Sequence, residues 1–508
     1  MSVNDQTVPG ALDDEQRLHE LGYAQELRRR MSGFSNFAVS FTIISILSGC
    51  LTLYGFGMFT GGPVVITWGW LFVGIMTLFV GLAMAEVCSS FPTAGGLYYW
   101  AAKLAPSHGA AWSWFTGWFN FLGQVAITAG IDFGAALFIT AFLNYQFNFS
   151  PVHWHVVIIY AIVLFVHGLV NQFGIRLVAL LNDVSVWWHI FGVLIIVGVL
   201  AFVPAHHQSA GFVFGHYVNL TGLGLGWWYI IPIGFLMAQY TFTGYDASAH
   251  MTEETHNAAT AGPRGIVMSI FVSLIAGFVL LVGVTFAIQN YTNETGALVP
   301  PAQIFVDAVG ATTGKLLLLI AIGAQLFCGM SSVTANSRMI YAFSRDGALP
   351  GSAFWHRVNK RTRTPTNAIW LGAAGAFILG APYLWNYAAY FAVTSIATIG
   401  LYIAYVTPTF LRLRQGENFK RGPWHLGRWS YVVGTIAVIW VCIIVVLFML
   451  PQVGPIGIKT FNYAVVAVGV VLAFSGGWWL VSARKWFTGP KVQGTAAELA
   501  AIERELAA

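Results

Sequence analysis

Charged side chains are scarce in this sequence. Asp, Glu, Lys and Arg make up only 8% of its 508 residues, whereas 57% of the residues are hydrophobic. A soluble domain normally carries about a quarter charged residues, because they keep its surface in contact with water. The deficit excludes a soluble globular protein and predicts an all-α polytopic membrane protein.

Features that would indicate other classes of protein are also missing. The four cysteines have no paired spacing, so neither a disulfide framework nor a metal site is predicted. The first thirty residues are polar and lack the apolar core of a cleaved signal peptide. No catalytic constellation, phosphate loop or channel-filter repeat occurs in an apolar segment. We therefore predict no enzymatic activity, no cofactor and no metal.

The apolar residues form long runs, and a spanning helix needs about 20 such residues. The 24 Lys and Arg residues fall between these runs rather than in one stripe, so we discount nucleic acid as a partner. The sequence predicts twelve transmembrane helices, which start near Phe34, Val64, Gly109, Val152, Leu177, Gly226, Ile266, Gly314, Thr366, Leu384, Tyr431 and Phe461.

The basic residues also predict the orientation of the chain. With the amino terminus inside, the even-numbered connections hold most of them, including the clusters at 356–363 and 410–422. The odd-numbered connections hold almost none, as the positive-inside rule requires. We expect a multi-pass protein of the plasma (cell inner) membrane with both termini cytoplasmic. Each terminal segment can form a helix on the inner membrane face.

Two of the predicted spans are interrupted near their middle. Gly, Ser, Thr, Tyr and Asp replace apolar residues at 45–57 in the first span and at 241–248 in the sixth. Non-helical backbone at membrane depth is tolerated only where it lines a cavity or is buried in protein. Matching interruptions five spans apart indicate an inverted-repeat transporter, whose free amides and carbonyls bind a zwitterion. Close helix packing through small residues is the alternative interpretation.

Four motifs of the sequence occur in the order found in one transporter superfamily. They are ISILSGCLT (Ile44–Thr52), LAMAEVCSSFPTAGGLYYWAA (Leu82–Ala102), GYDASAHMTEET (Gly244–Thr255) and SRMIYAFSRDGALPGS (Ser337–Ser352). Together they resemble the amino acid, polyamine and organocation transporter superfamily. The sequence is most similar to its amino acid/choline transporter branch, which includes γ-aminobutyrate permeases and bidirectional amino acid transporters. This resemblance runs from about residue 34 to residue 481.

The resemblance implies two inverted five-helix repeats with two helices added, in which helices 1 and 6 are unwound at the binding site. It implies that backbone amides of Ser48, Gly49 and Cys50 hold the substrate carboxylate. The substrate amine meets carbonyls of the sixth helix, and Tyr240 matches a position that often gates the pocket from outside. This sixth-helix stretch consists of Tyr240, Thr241, Phe242, Thr243, Gly244, Tyr245 and Asp246.

The repeat pattern implied by the resemblance also divides the chain into segments. We expect a cytoplasmic segment at 1–33, a first repeat at 34–203 and an external loop at 204–225. A second repeat follows, then two added helices and a cytoplasmic tail. These last three segments are 226–415, 416–483 and 484–508.

His189 is an ionisable residue in the fifth span, where such groups are costly and therefore typical of a functional site. The resemblance places it where some proton-coupled relatives carry a lysine in place of a bound sodium ion. Because imidazole titrates in the physiological range, one hypothesis is that protonation of His189 is coupled to closure around the substrate. The alternatives are a neutral histidine that is hydrogen-bonded within the bundle and a snorkelling group beside Trp187 and Trp188.

Other charged residues in the spans have more than one interpretation. Asp246 can pair with a substrate ammonium group or a cation, or it can brace the second half of the sixth helix at its amino-terminal end. Asp132 can face the substrate path. Arg338 needs an acidic partner, for which Asp183 and Glu253 are the candidates.

Two further features of the spans concern gating and ion binding. Glu86, at the inner end of the second span, is expected in a cytoplasmic gate network rather than as a ligand. The segment SSVTAN at Ser331–Asn336 places hydroxyls where sodium-coupled relatives of the wider fold keep ligands. Such hydroxyls commonly bond back to their own helix, so a sodium site is the less favoured interpretation.

The sequence as a whole predicts a secondary active transporter of a small amino acid, either a neutral amino acid or γ-aminobutyrate, that works by alternating access. The driving force is a proton gradient or exchange. The broken segments also contain the apolar and aromatic residues Cys50, Leu51, Tyr240, Phe242 and Tyr245, which favour a neutral substrate. A polyamine would need more carboxylates, and choline would need an aromatic cage. A polyamine or choline transporter and a transporter-like nutrient sensor are the alternatives. The expected partners are the small amino acid or amine, a proton in preference to sodium, and membrane lipid.

Overall fold

The regular structure of this protein is almost entirely helical. The computed structural model describes residues 14–173, 175–386 and 388–507. Its α-helices, in chain order, are α1 (Asp14–Glu20), α2 (Gly33–Ile44), α3 (Gly49–Thr52), α4 (Tyr54–Phe59), α5 (Trp70–Ser90), α6 (Gly96–Leu104), α7 (Gly109–Phe147), α8 (His153–Gln172), α9 (Ile175–Phe202), α10 (Ala210–Gly215), α11 (Trp227–Gly234), α12 (Leu236–Thr241), α13 (Ala247–His250), α14 (Ala258–Phe286), α15 (Tyr291–Thr295), α16 (Pro300–Arg345), α17 (Ser352–Trp355), α18 (Thr366–Gly380), α19 (Ala388–Gln415), α20 (Ser430–Leu447), α21 (Ala464–Val481) and α22 (Ala496–Ala507).

Short turns and one small sheet complete the secondary structure. A π-helical turn covers Val65–Gly69, and 3₁₀ turns cover Thr252–Glu254, Ala381–Leu384, Gly416–Asn418, Gly427–Trp429 and Ala483–Lys485. The strands β1 (Thr60–Gly61) and β2 (Val218–Asn219) pair antiparallel, with Thr60 opposite Asn219. The prediction of an all-α polytopic membrane protein is confirmed.

Eleven helical segments of the described chain are long and apolar enough to cross a membrane. They correspond to eleven of the twelve predicted spans. The eighth begins earlier than predicted, at Pro300, but Gly310 with φ 79° and ψ 162° interrupts it ahead of the predicted start. The eleven segments are Gly33–Thr52, Val65–Ser90, Gly109–Phe147, His153–Gln172, Arg176–Phe202, Ala258–Phe286, Pro300–Arg345, Thr366–Leu384, Ala388–Asn418, Gly427–Leu447 and Ala464–Val481.

The predicted sixth span is discontinuous in the structure. Its apolar part forms α11 and α12, which end at Thr241, and the chain resumes helical geometry only at Ala247 in α13. Between them Gly244 adopts φ +82°, a conformation that other residues rarely adopt. The first span is also interrupted, because α2 ends at Ile44 and Ser45 has a left-handed φ of 36°. Both predicted interruptions are therefore confirmed.

The described parts of the two terminal segments lie together on one face of the molecule, which we call the terminal face. His19 Nε2 lies 2.8 Å from Glu503 Oε1, and the Ala24 amide donates to Gln493 Oε1 at 2.7 Å. The expected terminal helices are present as α1 and α22. Residues 1–13 lie outside the described residues. Termini on the same face are what an even number of membrane crossings produces.

Buried ion pairs join the end of the interrupted sixth segment to α16 at the terminal face. The candidate partners of Arg338 were wrong, because its Nε lies 2.8 Å from Glu254 Oε1. Glu253 binds Arg345 instead, at 3.1 Å. Glu253 and Glu254 are consecutive residues of a 3₁₀ turn, so their side chains diverge toward two different turns of α16. Asp183 accepts a hydrogen bond from a serine of α2.

Glu86 takes part in a second polar cluster near the same face. Its Oε2 lies 3.3 Å from Arg412 Nε and accepts a hydrogen bond from the Ser430 hydroxyl. Its Oε1 accepts from the Leu426 amide at 3.3 Å. These contacts tie α5 to α19 and α20. They agree with the expected network, while the gating role of Glu86 stays a prediction.

Candidate functional site at the two helix interruptions

The interruptions of the first and sixth segments are in direct contact. A β-carbon at Gly49 would lie only 2.7 Å from Thr241 Cγ2, so glycine is needed for the two segments to approach this closely. On the terminal side of this contact, Ser40 Oγ donates to Tyr245 O at 2.9 Å. The ten predicted site residues at 48–50 and 240–246 are all buried. The structure thus brings together the two stretches that the sequence predicted.

Two tyrosines of α19 hold the backbone of the sixth-segment interruption. Tyr402 donates its hydroxyl to Phe242 O at 2.5 Å, and the Gly244 amide donates to the Tyr405 hydroxyl at 3.2 Å. These contacts replace hydrogen bonds that a continuous helix would supply, and buried backbone groups need such partners. Sequence reasoning missed both tyrosines. Their spacing of three residues on one face of an apolar helix was the available signal.

In the first interruption, the backbone forms a tight turn that is closed by hydrogen bonds to Ser45. The amides of Ser48 and Gly49 both donate to Ser45 O at 2.8 Å, and the Ser48 amide also lies 3.2 Å from Ser45 Oγ. A substrate carboxylate at these amides would therefore have to share them with Ser45. The amides of Ser48 and Gly49 are available to a substrate only if this turn adjusts.

His189 contacts the same turn. Its Nε2 lies 2.7 Å from Ser45 Oγ, and its Nδ1 lies 2.8 Å from Ser185 O. Because a carbonyl oxygen only accepts, Nδ1 carries a hydrogen. A neutral His189 then accepts from the Ser45 hydroxyl through Nε2, whereas a protonated one donates to it. Protonation of His189 would consequently reverse the hydrogen bond to the residue that holds the interruption.

A cavity of about 440 Å³ lies above the interruptions. It opens on the side away from the termini, which we call the far face, because its rim includes residues 295–300 beyond the end of α14. Thr52, Phe56, Phe138 and Tyr390 line it together with that rim. None of the ten predicted site residues lines this cavity, since they lie below its base. Thr52 is the lining residue nearest to them in sequence.

Two buried hydroxyls below and at the base of the cavity have no partner among the described residues, namely Thr52 Oγ1 and Tyr240 OH. A β-carbon at Gly134 would lie 3.2 Å from Thr52 Oγ1, and one at Gly130 would lie 2.5 Å from Tyr240 OH. The two glycines are one helical turn apart on α7, so both hydroxyls face the same strip of that helix. Buried hydroxyls without partners are costly, and a polar ligand would satisfy them.

Asp246 is held by three other helical segments. Gln124 of α7 donates to its Oδ2 and Tyr405 of α19 to its Oδ1, each at 2.7 Å. His250 Nε2 lies 3.2 Å from Oδ2. The side chain makes no capping hydrogen bond to α13, but it contacts this half-helix through His250. The carboxylate points to α7 and α19 instead of back to its own amides, and it braces separate spans.

Asp132 does not face the two interruptions. It lies two residues from both Gly130 and Gly134, which places it on the opposite side of α7. His167 Nδ1 of α8 lies 3.0 Å from its Oδ1, and a β-carbon at Gly329 of α16 would lie 1.8 Å from that oxygen. These contacts favour a structural pair over the interpretation in which Asp132 faces the substrate path. Its carboxylate needs the imidazole of His167, a partner that the sequence analysis missed.

The hydroxyls of the segment 331–336 are engaged in bracing α16. Ser331 Oγ donates to Asn182 Oδ1 and Thr334 Oγ1 to Asn171 Oδ1, each at 2.6 Å. Both hydroxyls also lie within hydrogen-bond distance of a carbonyl one turn earlier in α16. Hydroxyls that bond back to their own helix are the alternative to a sodium site, and these contacts favour that alternative.

One group of metal-ligand side chains occurs in the described residues, at the terminal face. Glu15, His19 and Glu503 place one ligand atom each within 4.8 Å of one another. Glu503 Oε1 lies 2.8 Å from His19 Nε2 and accepts from the Gln25 amide at 2.6 Å. These contacts account for the position of Glu503 as a link between the two termini.

Glu294 lies in α15, next to the cavity rim and outside the membrane-spanning segments. Its side chain is buried, its Oε1 accepts from the Gln289 amide at 3.0 Å, and its Oε2 has no partner among the described residues. Burial disfavours the charged form and raises the pKa of Glu294 from 4.5 to about 7. Between these two values the folded protein binds more protons than the unfolded chain, so stability falls as pH rises through this window.

Replacing Glu294 by glutamine is therefore expected to remove the loss of folding stability that accompanies the rise in pH. The variant should have a higher thermal unfolding midpoint than the wild type at pH 8 and the same midpoint at pH 4.5, measured by scanning calorimetry in detergent. Glu505→Gln is the control, because Glu505 is exposed at the carboxyl-terminal helix. A midpoint difference that does not depend on pH would contradict the assignment of the raised pKa to Glu294.

Comparisons with known proteins agree with this architecture. A family model described as amino acid permease matches residues 31–472. Amino-acid permease BAT1 of Arabidopsis thaliana is 45% identical over 507 residues, which cover 96% of this chain and 98% of that protein. The Amino-acid permease BAT1 homolog of Oryza sativa subsp. japonica is 44% identical, with 93% and 95% covered. The GABA-specific permease of Saccharomyces cerevisiae is 32% identical, with 94% and 86% covered. The resemblance seen in the sequence motifs is confirmed, and the chain belongs to the amino acid permease family.

Proposed function

We propose that this protein is a secondary active transporter that carries a small amino acid, either a neutral amino acid or γ-aminobutyrate, across the plasma membrane by alternating access. The observation that carries the proposal is the pair of unpartnered hydroxyls, Thr52 Oγ1 and Tyr240 OH, beside the contact of two interrupted helices. Relatives named as amino-acid permeases and a GABA-specific permease support the substrate class. The substrate is bound and released unchanged.

The proposed substrate position lies between the cavity and the interruptions. The substrate enters from the far face, and its carboxylate approaches the amides of Ser48, Gly49 and Cys50 once the turn at Ser45 adjusts. Its amine approaches carbonyls of residues 240–245, while Thr52 and Tyr240 supply hydroxyls. A transporter needs two states of comparable free energy, each of which releases what it holds.

We propose that the substrate leaves at the terminal face, and that this face is the cytoplasmic side. The clusters of basic residues in the connections on this side support that orientation. The ion pairs of Arg338 with Glu254 and of Arg345 with Glu253 close this face and must separate when the substrate leaves toward it. We place twelve crossings in the chain, with inverted repeats at 34–203 and 226–415 and both termini inside.

Uptake by the purified protein in liposomes tests the proposal. Labelled neutral amino acids, γ-aminobutyrate, putrescine and choline are each offered with and without an inward proton gradient. We expect protein-dependent uptake of a neutral amino acid or γ-aminobutyrate. Uptake only into vesicles loaded with amino acid would indicate exchange. Uptake of only putrescine or choline would contradict the substrate class, and binding without uptake would favour a nutrient sensor.

Proton coupling through His189 is part of the proposal. The contact of its Nε2 with Ser45 Oγ links a titratable group to the first interruption. A His189→Gln variant keeps hydrogen-bonding groups but cannot take up a proton near neutral pH. We expect its uptake to lose the dependence on external pH that the wild type shows between pH 5 and 8. Unchanged pH dependence in this variant would remove His189 from the coupling step.

A further inference from the structure

Asp246 and His250 form a buried carboxylate and imidazole pair just beyond the sixth-segment interruption. They are one helical turn apart, His250 Nε2 lies 3.2 Å from Asp246 Oδ2, and both side chains have 0% exposure. Gln124 and Tyr405 donate to the two carboxylate oxygens from α7 and α19. Ionisable groups at this depth are costly and are typical of functional sites.

The surroundings of His250 suit its imidazole both with and without a second proton. Its Nδ1 lies 2.9 Å from Ala94 O, so Nδ1 carries a hydrogen. Its Nε2 lies 3.4 Å from the donor Asn120 Nδ2 and 3.2 Å from the acceptor Asp246 Oδ2. A neutral imidazole accepts from Asn120, whereas an imidazolium donates to the carboxylate. A partner is therefore in place for either state of Nε2.

Gain of a proton changes the net charge of this pair from negative to zero. A net charge in a water-poor interior is unfavourable. The neutral, protonated pair is thus favoured while the site is closed off from water. Entry of water from the terminal face stabilises the negatively charged carboxylate that remains beside the neutral imidazole, and so allows the proton to leave.

Tyr405 connects the pair to the interruption. Its hydroxyl donates to Asp246 Oδ1 at 2.7 Å and accepts from the Gly244 amide at 3.2 Å. A few residues beyond the pair, Glu253 and Glu254 form the ion pairs that close the terminal face. A change of charge at the pair therefore acts on the non-helical backbone on one side and on the closed face on the other.

We propose that Asp246 and His250 together bind a proton that is transported with the substrate. This would be a second proton site, in addition to the one proposed at His189. This inference rests on the proposed transport function and makes Asp246 a proton ligand rather than a substrate ligand. The proton comes from solution at the far face, resides between His250 Nε2 and Asp246 Oδ2, and returns to solution at the terminal face. No covalent bond other than the N–H or O–H bond of this proton forms or breaks.

The other groups around the pair do not account for such a proton. The titratable groups that face it are Tyr402 and Tyr405 of α19 and Tyr245 of the interruption. On α7 it faces the amides of Gln124 and Asn120, which do not titrate. Phenols are ordinarily neutral between pH 5 and 8, whereas imidazole changes charge there. A purely structural brace would not require a titratable pair, because an amide accepts the same hydrogen bonds.

Paired uptake and counterflow measurements test this inference. Asp246→Asn and His250→Gln proteins are reconstituted with the wild type, and each is assayed for counterflow at equal pH and for uptake driven by an inward proton gradient. We expect the acceleration by the gradient, expressed relative to the counterflow rate of the same protein, to fall at least about twofold below that of the wild type in both variants. His167→Gln is the matched control, because it makes the same change in a buried pair away from the interruptions, and it should keep the acceleration.

The outcomes distinguish this inference from the proposed function. Wild-type acceleration in both the Asp246→Asn and His250→Gln proteins would overturn the inference while leaving the transport function intact. Absence of wild-type counterflow for every substrate tested would contradict the transport function itself. In that case, hydrogen–deuterium exchange of residues 240–250, corrected for intrinsic rates, tests the inference without a transport assay. We expect it to vary between pH 5 and 8 in the wild type but not in either variant, and equal variation in all three proteins would overturn the inference.

Discussion

Replacement of Gly244 by alanine is expected to reduce uptake at least about tenfold without preventing membrane insertion. Gly244 adopts φ +82°, which costs a residue with a β-carbon about 1–2 kcal/mol. That β-carbon would also lie 2.1 Å from Ile43 Cγ2, so the sixth-segment interruption would move away from the end of α2. Because the proposed site depends on contact between the two interruptions, a displacement of this size disrupts binding.

The measurement is the initial rate of uptake per amount of monodisperse protein in liposomes. Gly198→Ala serves as the control, because a β-carbon there meets no atom within 4 Å in α9. That variant should transport at the wild-type rate. Wild-type uptake by Gly244→Ala would show that the geometry of the interruption is not required for transport.

Removal of the two unpartnered hydroxyls is expected to weaken substrate affinity without loss of stability. Thr52→Val and Tyr240→Phe each delete a group that has no hydrogen bond within the described part of the protein. If that group binds substrate, the loss of one hydrogen bond of about 0.5–1.5 kcal/mol should raise KM about two- to thirteenfold. The thermal unfolding midpoint without substrate should be unchanged or higher, because no internal hydrogen bond is broken.

Tyr160→Phe is the control, because it should lower stability without changing KM. The Tyr160 hydroxyl is buried and donates to Ala376 O at 2.6 Å, away from both interruptions. Its removal should lower the unfolding midpoint, because the acceptor loses its partner, and should leave KM unchanged. A KM that is insensitive to both Thr52→Val and Tyr240→Phe would place the substrate elsewhere.

Local composition was enough to predict the helices and their interruptions. Runs of about 20 apolar residues indicate spans regardless of what they pack against. The glycines, serine and threonine around Gly49 and Gly244 marked both interruptions, because these residues are poorly suited to a lipid-facing helix. Predictions of this kind depend on neighbours in the sequence, and the structure agrees with them.

Partners between distant spans could not be predicted in the same way. The choice of Glu254 rather than Glu253 by Arg338 depends on how a 3₁₀ turn directs two consecutive side chains. The orientation of Asp132 toward His167 depends on the rotation of α7 about its axis, and nothing in an apolar sequence of nearly uniform hydrophobicity fixes that rotation. Such contacts are set by the packing of helices far apart in the chain.

A structure of the protein with a transported amino acid bound tests the proposed substrate position most directly. We expect ligand density between the cavity base and the two interruptions, within hydrogen-bond distance of Thr52 Oγ1 and Tyr240 OH. We also expect the turn at Ser45 to have moved and freed the amides of Ser48 and Gly49. Density at any other position, with Thr52 and Tyr240 still unpartnered, would contradict the proposed position.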